Sequence, residues 1–217
     1  MRAVVVEVLA GCGLLTAWYL FFLRYNRRQA VEVLHRVRRV FGAHGRIAKV
    51  CWQSASRFQV QMELAASMFR HTSLRVELFP RQQPLAWLIR RLRRRAETLT
   101  FQADLDTAPS FDLEVQNHRW YGRTRRRLPG KSQGWILQQS GPFVLTTRNE
   151  WQREITTMMN ALVASRECDC SSVSFRRSSP HFSVTVPLDT IAPESRAESE
   201  MFDVLRELAA GASTARF

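Results

Sequence analysis

The sequence predicts an α+β protein: a single N-terminal transmembrane helix followed by an antiparallel-sheet domain with packed helices. Three observations predict it. Residues 3–23 form a nearly uncharged apolar run that ends on arginines. Several later stretches alternate apolar and polar residues with period two, the mark of strands with one buried and one wet face. Between these stretches, apolar residues recur at helical spacing. The expected organisation is an anchor at 1–23, a basic amphipathic juxtamembrane helix at 24–45, an α+β domain at 46–188, and an acidic C-terminal helix and tail at 189–217.

The apolar run comes first. Its 21 residues reach about 31 Å as a helix, close to the thickness of a bilayer's hydrocarbon. Glu7 is its sole acidic or basic residue, near enough to the start to snorkel to the interface. Trp18 and Tyr19 fall near the basic end, where an aromatic belt belongs. Gly11 and Gly13 are too close together for a small-xxx-small helix pair. The run is longer than the apolar region of a signal peptide, and bulky Phe21, Phe22 and Leu23 offer no small-residue cleavage site. An uncleaved signal anchor is the expectation. Arg24, Arg27 and Arg28 follow at once, and such an excess favours a cytoplasmic C-terminal side.

After the anchor, Ala30, Val33, Leu34, Val37, Val40 and Phe41 make a narrow stripe with arginines mostly on the other side. The stripe predicts a helix, able to continue the span, that ends near Gly42 or Gly45 and packs on the domain, with a position along the membrane as the less favoured alternative. Strands are predicted at Phe58 to Leu64, Leu74 to Leu78, Leu99 to Leu105, Phe111 to Val115, Val173 to Phe175 and Phe182 to Leu188. Weaker strands are predicted at Ile47 to Trp52, Trp135 to Gln139 and Phe143 to Thr147.

Three helices interrupt the strands. Pro84 fits a first helical turn ahead of Leu85, Leu88, Ile89 and Leu92, with arginines gathered at the end the dipole favours. Thr147 and Glu150 make a capping-box pattern before Trp151, Ile155, Met158, Met159 and Leu162. Ser195 and Glu198 repeat it before Met201, Val204, Leu205 and Leu208. All three apolar stripes are expected to face the core.

Charge is the other dominant feature. The chain has 32 Lys and Arg against 19 Asp and Glu, a net charge of +13, and Lys49 and Lys131 are the sole lysines. Residues 24–46 hold seven arginines and one acid, residues 81–95 six arginines and no acid, and residues 119–131 six basic residues and no acid. Residues 189–217 reverse the sign, with six acids and three arginines. Arginine binds phosphate in a fork and stacks on rings. The run that combines both properties is Arg119, Trp120, Tyr121, Arg123, Arg125, Arg126 and Arg127. It is the candidate contact for anionic lipid or nucleic acid, with a solvated basic loop as the plain alternative. Arg24, Arg27 and Arg28 form the juxtamembrane basic set.

Catalytic and metal signatures are missing from the pattern. Gly130-Lys131-Ser132 resembles the end of a P-loop, yet Arg125 stands where that motif needs glycine. Cys168 and Cys170 have the wrong spacing for a Cys-x-x-Cys pair, and Cys12 and Cys51 supply no second pair. The five histidines share no ligand spacing. No catalytic residue, metal ligand or cofactor is therefore assigned, and an enzyme is the less favoured class. The functional expectation is a membrane-anchored cytoplasmic interaction or accessory domain. Its expected partners are the membrane, with anionic headgroups, and a protein. The alternatives are a membrane-tethered enzyme of unrecognised type and, less favoured, a membrane-held nucleic-acid-binding domain.

Overall fold

A computed structural model describes residues 2–42, 44–93, 95–117, 135–140, 143–148, 170–190 and 197–214. One helix, α1 (Arg2–Gly42), runs 41 residues without a break, about 61 Å at 1.5 Å per residue. The two segments that the sequence separates at Leu23 are thus one rod. Its two halves have different surroundings. Every residue from 3 to 17 is exposed, whereas Asn26, Ala30, Val33, Val37, Val40 and Phe41 are buried. The buried set repeats at three and four residues, so one stripe of the second half meets the sheet.

The strands are β1 (Gly45–Ser54), β2 (Arg57–Leu64), β3 (Phe69–Glu77), β4 (Thr98–Leu105), β5 (Leu113–Asn117), β6 (Trp135–Ser140), β7 (Phe143–Arg148), β8 (Ser172–Phe175) and β9 (Phe182–Pro187). They form one nine-stranded sheet in the order β1-β2-β3-β4-β9-β8-β5-β7-β6. Every pairing among the described residues is antiparallel. The expected α+β class and antiparallel sheet are therefore present, together with one helix near the N-terminus long and apolar enough to cross a membrane.

Alternation decides which face is dry. Phe58, Val60 and Met62 of β2, Leu74 and Val76 of β3, and Leu99, Phe101 and Ala103 of β4 are buried. So are Phe182, Val184 and Val186 of β9. The residues between them, such as Gln59, Thr100, Gln102 and Thr185, are half-buried on the opposite face. There the Thr100 and Thr185 hydroxyls pair across strands at 3.2 Å. The dry face is covered by α1 and by the C-terminal helix α3 (Ala197–Thr214), which buries Phe202, Leu205, Leu208 and Ala209. The second half of α1, the sheet and α3 share one hydrophobic core.

Aromatic rings tie these layers together. Phe41 of α1 stacks on Phe101 at 6.0 Å and meets Phe202 of α3 edge-on at 6.3 Å. Phe101 also contacts Phe69 and Phe182, and His44 stacks on Phe202 at 4.1 Å.

Two strand details differ from the periodicity. β3 begins at Phe69, five residues before the alternation becomes regular. A bulge lies between Arg70 and Ser73, and His71 adopts a left-handed φ of 46°. The extra residue shifts the phase, so the first part of β3 does not read as a strand. Thr147 belongs to β7, paired with Leu113 and Ile136, and its hydroxyl donates to the Asp112 carbonyl at 3.3 Å. It is therefore a strand residue and not a helix cap. The helix expected after it, over Trp151 to Leu162, lies outside the described residues, as does Ser195.

Candidate functional site at the junction of the two helices

The segment after β3 folds back against the middle of α1. Leu78 is buried and its amide donates to the Ser56 carbonyl at 2.8 Å. The chain then leaves the sheet as Phe79, Pro80, Arg81 and Gln82 and enters a short helix, α2 (Pro84–Leu92). Pro84 suits the first turn because its missing N–H would have no helical partner there.

Asn26 is the hub of this junction. It is fully buried in α1 and faces three groups of the returning segment. Its Nδ2 donates to the Phe79 carbonyl at 3.0 Å and to Gln82 Oε1 at 2.6 Å. Its Oδ1 accepts from Arg81 Nη1 at 3.4 Å. Gln82 is itself buried, so each amide relieves the desolvation of the other.

Arg81 extends the network. Its Nη2 pairs with Glu97 Oε1 at 2.9 Å, and the same carboxylate accepts from the Phe79 amide at 3.0 Å. The guanidinium lies over the rings of Tyr25 and Phe79, at 5.2 and 5.5 Å from their centroids. Eight residues before Asn26, Trp18 Nε1 donates to the Arg81 carbonyl at 3.1 Å. Trp18 packs on Phe22 at 4.4 Å, and Phe22 meets Tyr25 edge-on. The domain therefore grips α1 as far up as Trp18.

The helix that follows does not enter the core. None of its residues is buried, and Leu85, Leu88, Ile89 and Leu92 are exposed by 75%, 45%, 49% and 75%. This corrects the expectation that its stripe faces the core. The dry face of the sheet is taken by α1 and α3, and the grip on Phe79–Gln82 holds α2 away from it. Ala86, Trp87 and Arg90 are the half-covered positions, so the apolar stripe points away from the protein. Burial lowers the pKa of the Arg90 guanidinium below its ordinary value; Glu77 opposes the shift, while Arg57 and Arg95 add to it. Arg91 lies over the Trp87 ring at 5.3 Å.

The basic residues singled out by sequence divide in two. Arg24, Arg27 and Arg28 are exposed on α1 beside this junction. Arg119, Trp120, Tyr121, Arg123, Arg125, Arg126 and Arg127 lie outside the described residues. Sequence reasoning missed Asn26, Gln82 and the Arg81–Glu97 pair. The available signal was a lone asparagine, a weak helix former, inside an otherwise arginine-rich helical stretch.

Elsewhere, an open cleft of about 450 Å³ separates α1 from β1, lined by Leu34, His35, Arg38, Arg46, Ile47 and Val50 among others. Arg46 pairs with Glu63 at 2.7 Å. Among the described residues, no group of three or more His, Cys, Asp or Glu side chains is placed to hold a metal ion. No known family model matches the chain, and no curated protein matches it in sequence.

Proposed function

We propose that the protein is a single-pass membrane-anchored domain that acts by interaction, as an accessory or assembly component, with its C-terminal domain in the cytoplasm. The observation that carries this reading is the division of α1. Its first half is apolar and bare, its second half is core, and no break separates them. A bare apolar rod in water exposes far more hydrophobic surface than soluble domains carry. In a bilayer the same surface is matched to its surroundings. Thr16 conforms to this, because its hydroxyl donates to the Cys12 carbonyl at 2.8 Å within the helix and needs no water.

The orientation rests on charge. Arg24, Arg27 and Arg28 follow the apolar half directly, and Arg81, Arg90, Arg91, Arg93 and Arg95 belong to the segment gripped beside them. A positive cluster at one end of a span favours the cytoplasmic side, where anionic headgroups attract it. The proposed partners are those headgroups and a protein. A reporter fused after Phe217 tests the topology. The expected result is reporter activity in the cytoplasm, and activity on the outer side overturns the localisation.

The enzyme reading has one observation in its favour, the cleft between α1 and β1. Its His35, Arg38 and Arg46 suit an anionic ligand. Turnover lost on His35→Ala with the fold intact would promote it.

A further inference from the structure

We propose that α2 is an interfacial helix. In this account its stripe of Leu85, Leu88, Ile89 and Leu92 is bedded in the same leaflet that α1 leaves, with Arg91 and Arg93 against anionic lipid headgroups. The inference rests on the membrane-spanning reading of α1 and adds a second membrane contact to it.

Length is the first argument. The bare part of α1, residues 2–17, is about 24 Å long at 1.5 Å per residue, whereas the hydrocarbon is about 30 Å thick. The bilayer must therefore reach Trp18 or beyond. Trp18 is where the domain begins, because its indole N–H is held by the Arg81 carbonyl. The membrane edge and the segment that leads into α2 are at the same level. Pro84, the first residue of α2, is three residues from Arg81.

The character of α2 is the second argument. Leu85, Leu88, Ile89 and Leu92 have the i, i+3, i+4, i+7 spacing of a single stripe about 100° wide. All four are exposed, the outer two by 75%. In contact with water the exposed part of this stripe, most of Leu85 and Leu92 above all, gains nothing from folding. In the headgroup and acyl boundary it gains the usual free energy of apolar burial. The helix rests on the protein through Ala86, Trp87 and Arg90, which aims the stripe outward. Arg91 and Arg93 are exposed at its flanks and end. An apolar face with a basic rim is the composition of helices that lie in an anionic interface. The hydrogen bonds of Asn26 fix the segment before α2 against α1, so the helix is presented to the bilayer instead of finding it by chance.

The test uses the full chain in nanodiscs of mixed phosphatidylcholine and phosphatidylglycerol, with one photo-reactive benzoylphenylalanine per variant. The sites are Leu14, Leu88, Leu92 and Ser67. Leu14 reports the span. Leu88 and Leu92 report α2, and either exposed site suffices if the other variant folds poorly. Ser67 lies in the turn at the far end of β3 and serves as the control. The expected result is lipid adducts, read by mass, at Leu14 and at the α2 sites, with at least a tenfold lower yield at Ser67. Lipid adducts at Leu14 but not at Leu88 or Leu92 overturn the interfacial helix and leave the span standing. Cross-links from α2 to protein, including a second copy of this chain, overturn it in favour of a protein-docking face. No lipid adduct at Leu14 overturns the span itself and the inference with it.

Discussion

Asn26 Nδ2 donates to Gln82 Oε1 at 2.6 Å, joining α1 to the segment before α2 across 56 residues of chain. Both side chains are buried. The bond makes a long helix and a short one into a single unit beside the end of the bare apolar half. It also explains why a buried amide stands in a helix whose other buried residues are apolar. A charge buried there would need a full counter-ion, whereas an amide donates to two acceptors and accepts from a third group.

Removing this hub should be costly. Asn26→Ala leaves the Phe79 carbonyl and the Gln82 amide without their donor, so stability should fall by about 1–3 kcal/mol. Gln82→Ala should cost a similar amount. The double variant should cost less than the sum, because both changes remove one interaction. Urea unfolding of the chain starting at Arg24 measures all three. Additive effects would show that the two residues do not act together.

The aromatic core should be less forgiving. Phe101 is buried against Phe41, Phe69 and Phe182. Phe101→Ala should destabilise by about 3–5 kcal/mol, the usual effect of deleting a buried ring. Circular dichroism through a denaturant titration reads it. A loss below 1 kcal/mol would mean that α1 and α3 do not close over this face.

Gly45 opens β1 where no side chain fits. An added Cβ would lie 2.9 Å from Leu64 Cα and closer still to the Glu63 carbonyl oxygen. These are backbone atoms of a paired strand and cannot turn aside. Gly45→Ala should therefore cost about 1–3 kcal/mol by overpacking, whereas Gly42→Ala, which meets open space, should be close to neutral. Equal melting temperatures for the two variants would contradict this.

The arginine run beyond β5 carries an expectation of its own. Replacing Arg123, Arg125, Arg126 and Arg127 together with glutamine should weaken binding of the chain starting at Arg24 to anionic vesicles. The difference should shrink as salt rises, and the variant should unfold as cooperatively as the parent. Equal binding by parent and variant eliminates the run as a lipid contact. Binding to single-stranded nucleic acid that is lost with Trp120→Ala would favour the nucleic-acid alternative.

The strands were legible because alternation is a local property of each segment. Phe58 to Leu64 and Leu99 to Leu105 show their period without reference to any neighbour. The start of β3 was not legible, since the bulge at His71 moves the apolar residues out of phase. Thr147 misled for a related reason. A capping box is a pattern of few residues, and the register with Leu113 and Ile136 outweighs it. Periodicity also says that a face is apolar without saying what covers it. The stripes of α2 and α3 look alike in sequence, yet Phe202 and Leu205 are buried while Leu85 and Leu92 are exposed. The Asn26–Gln82 bond was invisible because nothing local to either residue names the other.

On the proposed reading, one unbroken helix is a membrane span in its first half and packs into the core with its second. Alkaline carbonate extraction of membranes tests it most directly, comparing the full chain with the chain starting at Arg24. The full chain should stay in the membrane pellet. The shorter chain should be released and unfold in one cooperative transition, because Asn26 is the first buried residue of α1. Release of the full chain by carbonate would contradict the span, and a shorter chain without a cooperative transition would contradict the division of α1.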